Sequence, residues 1–218
     1  LPSGQPVVVN ADGTVSVVGS ATGTESIGTE VQFESGAVYI PSSAYDTSSN
    51  KVVIAYRDND NNYYGTAIVG TVSGTSISFG TAVVFESANF KQNSITFDSS
   101  NNKFVIAYSD GGNSDYGTAI VATVSGTNIS FGSATVFESA SIESSSCAFD
   151  ANAGKVVIAY KDEGNSNSGT AVVGTVSNTS ISFGTPVAFC SSSGSYSIVY
   201  NPDAQNVIIA YQRSSTGK

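Results

Sequence analysis

The stretch "KVVIAY" occupies residues 51–56, "KFVIAY" 103–108, "KVVIAY" again 155–160 and "NVIIAY" 206–211. The steps between copies are 52, 52 and 51 residues. An apolar hexapeptide that returns at so fixed and long a period marks a repeated supersecondary unit. The hexapeptide reads as a strand with two apolar faces. Val52, Ile54 and Tyr56 point one way, while Val53 and Ala55 point the other. Such a strand needs cover on both sides, and a lone four-stranded sheet does not supply it.

Working outward in the second copy, "SITFD" (94–98) reads as strand A and "KFVIAYSD" (103–110) as strand B. "GTAIVATVS" (117–125) follows as strand C. "NISFGSATVFES" (128–139) is strand D, with a kink expected at Gly132. The joints "DSSNN" and "SGT" carry turn chemistry, Gly allowing positive φ and Asp and Asn closing local hydrogen bonds. Four strands per unit, each unit covering its neighbours, predicts an all-β chain. The expected fold is a β-propeller of four blades of four antiparallel strands.

The expected blades lie near 42–87, 94–139, 146–189 and 196–212, in one domain over 1–218. The last holds only an A strand, "YSIVY" (196–200), and a B strand, "NVIIAYQ" (206–212). Its other half is expected at the opposite terminus. "PVVVNADGTVSVVG" (6–19) aligns with "AIVGTVSGTSISFG" (67–80), with "DGT" for "SGT" and Gly19 for Gly80. A second D-like stretch, "ESIGTEVQFES" (25–35), then joins the first blade. Residues 6–35 are thus expected to close the ring, which removes exposed strand edges.

The unit S-I-x-F-D-x-x-x-N-K-x-V-I-A-Y-x-D…G-T-A-x-V-x-T-V-S-G-T-x-I-S-F-G-T resembles β-propeller repeats of phage tail-fibre-like proteins and of marine microbial surface proteins. It covers nearly the whole chain. The resemblance implies the repeat architecture and an extracellular or virion-surface setting. It carries no catalytic residue onto any position here.

Composition narrows the function. The chain has 8 Lys and Arg against 17 Asp and Glu, a net charge of −9, and no basic cluster. Phosphate backbones are repelled by such a surface, so no nucleic-acid partner is expected. The apolar runs are five or six residues long, too short for a membrane-spanning helix. The isolated domain is expected to be monomeric. With no His in the chain, His-based triads and His metal sites are excluded. Cys147 on an inner strand A and Cys190 just past an outer strand D are too far apart for the expected fold to bridge.

Catalytic carboxylates on propellers need to face the channel as a pair roughly 5–10 Å apart. The inner strands here read "SSAYD", "SITFD", "SCAFD" and "SIVYN". Asp46, Asp98 and Asp150 close these strands at the turn into B and read as turn caps. No catalytic residue is nominated and no cofactor is expected. Calcium is the one metal to weigh, at Asp58, Asp60 and Asn62 in "DNDNN", although the later glutamate of a calcium loop is missing.

The copies can be compared with one another. The A–B turns and the C–D turns are alike in the first three copies. The D–A loops (34–42, 86–94, 138–146, 190–197) and B–C loops (57–66, 109–118, 161–170) diverge, and they share one face. The divergent positions are Tyr39, Tyr63, Tyr64, Phe90, Lys91, Asp115, Tyr116, Glu143, Glu163 and Tyr196. Aromatics in exposed loops point to a ligand laid across this face. The expected function is a non-catalytic recognition or adhesion module. Its expected partner is a carbohydrate or a surface protein. The alternatives are a structural spacer in a larger assembly and, third, a hydrolase.

Overall fold

The computed structural model describes residues 7–9, 15–17 and 27–213. They form antiparallel sheets, with no α-helix among the described residues. Two short strands, β1 (Val7–Val9) and β2 (Val15–Val17), pair with one another. In the first unit, β3 (Val38–Asp46) pairs with β4 (Lys51–Asp58), and β4 with β5 (Tyr64–Ser73). Strand β5 then takes both β6 (Ser76–Phe79) and β7 (Val83–Glu86) on its far edge. The second unit repeats this with β8 (Phe90–Asp98), β9 (Lys103–Asp110), β10 (Tyr116–Ser125), β11 (Asn128–Phe131) and the start of β12 (Thr135–Asp150). The rest of β12 opens the third unit, followed by β13 (Lys155–Asp162), β14 (Ser168–Ser177), β15 (Ser180–Phe183) and β16 (Val187–Cys190). The fourth has β17 (Ser193–Asn201) and β18 (Asn206–Arg213).

The first three hexapeptide strands form the core, as their two apolar faces require, while the fourth, in β18, is largely exposed. Val53, Ala55, Tyr56, Val105, Ile106, Tyr108, Val156, Ile158 and Tyr160 are completely buried. The expected D strand is instead two short strands. Gly80, Gly132 and Gly184 turn the chain between them, each donating its N–H to a carbonyl of the preceding C strand. Each unit also grips the next. Glu34, Glu86 and Glu138 accept hydrogen bonds from Tyr56, Tyr108 and Tyr160 at 3.2, 3.0 and 2.9 Å. The Phe before each Glu packs on the same Tyr ring, at centroid distances of 5.3 Å for Phe33, 5.7 Å for Phe85 and 5.1 Å for Phe137. In the last copy Phe189 packs on Tyr211 at 5.3 Å, and Cys190 stands where the glutamate would be.

A second contact repeats in step. A Cβ on Gly28, Gly80 or Gly132 would lie 1.9, 2.2 or 1.7 Å from the carbonyl oxygen of Thr75, Thr127 or Thr179. Only glycine lets the kink of one unit meet the C–D turn of the next this closely. Gly28 therefore makes the contact that Gly80 makes in the next unit. Gly19 and the "DGT" turn at 12–14 lie outside the described residues.

Three sequence expectations change. The D-like stretch 25–35 is not a strand over its described residues, and no C strand among the described residues pairs with it. Strands β1 and β2 do not pair with β18 but with one another, and no strand among the described residues pairs with the outer edge of β18. The D–A "loops" are largely strand. Residues 138–146 lie within β12, which runs unbroken from the second unit into the third. The other inner strands begin at Val38, Phe90 and Ser193.

Candidate functional site

Inner strands β3, β8, β12 and β17 pack against one another in sequence order. At the end where the A–B turns lie, all four line an open cavity of about 440 Å³ walled by Tyr45, Phe97, Cys147, Phe149, Ile198 and Tyr200. The turns beside it are capped as expected. Asp46 accepts from Ser48 and Ser49, Asp98 from Ser100 and Asn101, and Asp150 from Asn152 and Ala153. These carboxylates are committed to backbone and turn side chains.

The opposite end holds a polar cavity of about 300 Å³, fed by the first three units. Two backbone devices aim side chains at it. The inner strands carry bulges between Tyr39 and Ser42, Lys91 and Asn93, and Glu143 and Ser146. At each bulge a non-glycine residue takes positive φ: Ile40 (46°), Gln92 (43°) and Ser144 (52°). Such bulges re-aim neighbouring side chains, and the strain they hold concentrates at functional sites. The B–C turns share a second device, paired left-handed residues at Asn62–Tyr63, Ser114–Asp115 and Ser166–Asn167. Asp58, Asp110 and Asp162 cap these turns by accepting N–H bonds from Asn61, Gly112 and Asn165. The loops differ in sequence and share one backbone.

The same three places thus receive different side chains. In the first unit Arg57 lies between two exposed rings, 5.0 Å from the centroid of Tyr39 and 5.5 Å from that of Tyr63. In the second, Lys91 Nζ meets Asp115 Oδ1 at 2.8 Å. In the third, Lys161 Nζ lies 2.7 Å from Glu143 and 3.7 Å from Glu163, whose carboxylate also accepts from Ser141 Oγ at 2.7 Å. The hydrogen bond to Glu143 holds the Lys161 ammonium above its ordinary pKa. These pairs sit at the water boundary, where an ion pair contributes about 0–1 kcal/mol to stability. They are better placed to present alternating donors and acceptors than to hold the fold.

Of the residues nominated from sequence, Lys91, Asp115, Glu143 and Glu163 line this cavity, while Tyr39 and Tyr63 do not line it and border it through Arg57, which does. Tyr64 and Tyr116 open β5 and β10 and are half-buried. Tyr196 packs edge-on to Phe189, with ring centroids 6.1 Å apart, and does not line the cavity. Phe90 is completely buried against Phe85 and Tyr108. It is a core residue, and its truncation tests folding rather than binding. The calcium candidates are otherwise engaged. Asp58 caps its turn, Asp60 accepts from Ala37 N at 3.2 Å, and Asn62 supplies a left-handed turn position. Sequence reasoning missed Arg57 and Lys161. The signal was available: the residue after each hexapeptide, the first of each B–C loop, reads Arg57, Ser109, Lys161 and Gln212, and so differs between copies.

No protein-family model and no curated protein matches the chain. Among solved structures, the crystal structure of a protein from Lactobacillus plantarum is similar in fold. The TM-score is 0.52 at 13% identity, covering 94% of this chain and 54% of that one. The chain spans about half the length of that protein. A likeness at this identity concerns the fold alone.

Proposed function

We propose that the chain is a four-bladed β-propeller that recognises a carbohydrate, without turning it over, at the polar mouth between its first three blades. The fold reading is supported by the inner strands packing in order and by the interunit grip recurring at Tyr56, Tyr108, Tyr160 and Tyr211. Further support comes from Phe33 and Glu34, which hold the first unit as a fourth blade's D strand would. The repeat resembles phage tail-fibre-like and marine surface repeats, which fits display outside a cell or on a virion.

One observation carries the functional reading. Identical backbone positions in three units deliver an aromatic–cation sandwich and two different ion pairs to a single cavity. Such a mouth offers flat apolar faces and fixed hydrogen-bonding groups side by side, the two things a sugar ring engages. Each acidic side chain around it faces a lysine ammonium or a hydroxyl donor, which favours recognition over proton transfer. The test is a glycan-array screen of the intact chain. Signals that drop with Tyr39→Ala or Lys91→Ala and persist with Thr47→Ala, at the opposite end, are the expected result. Absence of any saccharide signal, or signals indifferent to the first two changes, would favour the spacer reading.

A further inference from the structure

Arg57 differs from the other two cations of the mouth. Lys91 and Lys161 are each neutralised by carboxylates within 4 Å, whereas Arg57 has no acidic partner among the described residues. Its Nε donates to Asn59 Oδ1 at 2.9 Å, which fixes the plane of the guanidinium. No acceptor among the described residues engages its terminal nitrogens. Tyr39 and Tyr63 cover the guanidinium and hold it in the cavity wall. A planar cation that is oriented, flanked by rings and short of an acceptor is built for a planar anion approaching edge-on.

We infer that Arg57 binds the carboxylate of an acidic sugar through its two terminal nitrogens, with Tyr39 and Tyr63 bordering the sugar. This rests on the mouth being the saccharide site and names its ligand class. The net charge of −9 does not forbid it. Charges beyond about 8 Å are largely screened at physiological salt, and the acids nearest the cavity already face lysines. A sulfate ester also presents an oxygen pair to the fork, but its oxygens are less basic and so weaker hydrogen-bond acceptors than those of a carboxylate.

The experiment is calorimetric titration with galacturonate, glucuronate and mannuronate oligosaccharides, sialyllactose, the same sugars after carboxyl reduction, and sulfated neutral counterparts. Binding that weakens at least about tenfold on carboxyl reduction and on Arg57→Gln, with Arg57→Lys intermediate, is expected. The carboxyl-reduced sugars need no variant, so the test survives a poorly folded Arg57→Gln protein. Equal affinity for reduced or sulfated sugars overturns the inference. If those sugars lose affinity with Lys91→Ala and not with Arg57→Gln, the mouth stands as the site and only its carboxylate specificity is lost. Failure of every sugar in the panel to bind overturns the inference outright, and the array screen then decides the mouth itself.

Discussion

Tyr108 donates a hydrogen bond to Glu86 at 3.0 Å across the boundary between the first and second units. Tyr108 is fully buried, and burial raises its hydroxyl pKa well beyond the ordinary tyrosine range. It is therefore a permanent donor. Removing it with Tyr108→Phe leaves the half-buried Glu86 carboxylate short of a partner, at a cost of roughly 1–3 kcal/mol. Urea denaturation of the two proteins at pH 7 measures it; a difference within error would mean the bond is not part of the grip.

Glu86 also sets a pH dependence. Burial, and then the Asp110 charge, raise its folded pKa above 4.5. The folded state then binds more protons than the unfolded state in the window just above 4.5, so this group's contribution to stability declines as pH rises through it. Glu86→Gln keeps an acceptor for Tyr108 and abolishes the titration. The variant should gain on the wild type as pH rises from 4 to 7 in thermal melts. A gap that is constant with pH would rule this out.

The glycine contacts test the joints between units. Gly80→Ala and Gly132→Ala push a methyl group into a threonine carbonyl and should cost roughly 1–3 kcal/mol or more. A Cβ on Gly184 would meet only Val173 O, at 3.8 Å, among the described residues. Gly184→Ala should therefore cost less than Gly80→Ala. Equal losses of stability by urea titration would count against the glycine contacts as the reason for the cost.

Gln92 occupies the left-handed region at φ 43° and is exposed. Glycine relieves a backbone cost of about 1–2 kcal/mol at such a site and adds about 0.5–1 kcal/mol of unfolded-state entropy. Gln92→Gly should therefore stabilise the protein by roughly 0.5–1 kcal/mol. A lower melting temperature would place the side chain, rather than the backbone, in charge of the bulge.

The thiols should separate cleanly. Cys147 is buried beside Ser94 Oγ, and burial pushes its pKa up to about 12. Cys190 is half-buried, and both are free. A thiol-reactive dye should label Cys190 in the native protein, and both cysteines in denaturant. Native labelling of Cys147 would contradict the packing around the inner strands.

The strands and units were readable because "KVVIAY" needs cover on both faces, and because the Asp of "FD" and the Gly of "SGT" leave the turns little choice. The mouth was half readable. Tyr39, Tyr63, Lys91, Asp115 and Glu143 stood out by differing between copies. Phe90 did so too, yet the bulge after Lys91 starts β8 early and sends that ring inward. A one-residue offset along a strand exchanges core for surface, and bulge position is not written in periodicity. Arg57 was hidden because it adjoins the most regular stretch of the chain.

Strand β12 joins the second and third units through sixteen continuous residues, where the other junctions are interrupted. Under tension, load passes differently through the two kinds of joint. Between the first and second units a pull is resisted by side-chain grips that can peel one at a time. Between the second and third it must shear a single rod hydrogen-bonded to β10 on one side and β13 on the other. Pulled from its ends, the protein should shed its outer units first and keep the middle pair as a mechanical clamp. Two of the three walls around the polar cavity would then be the last to part.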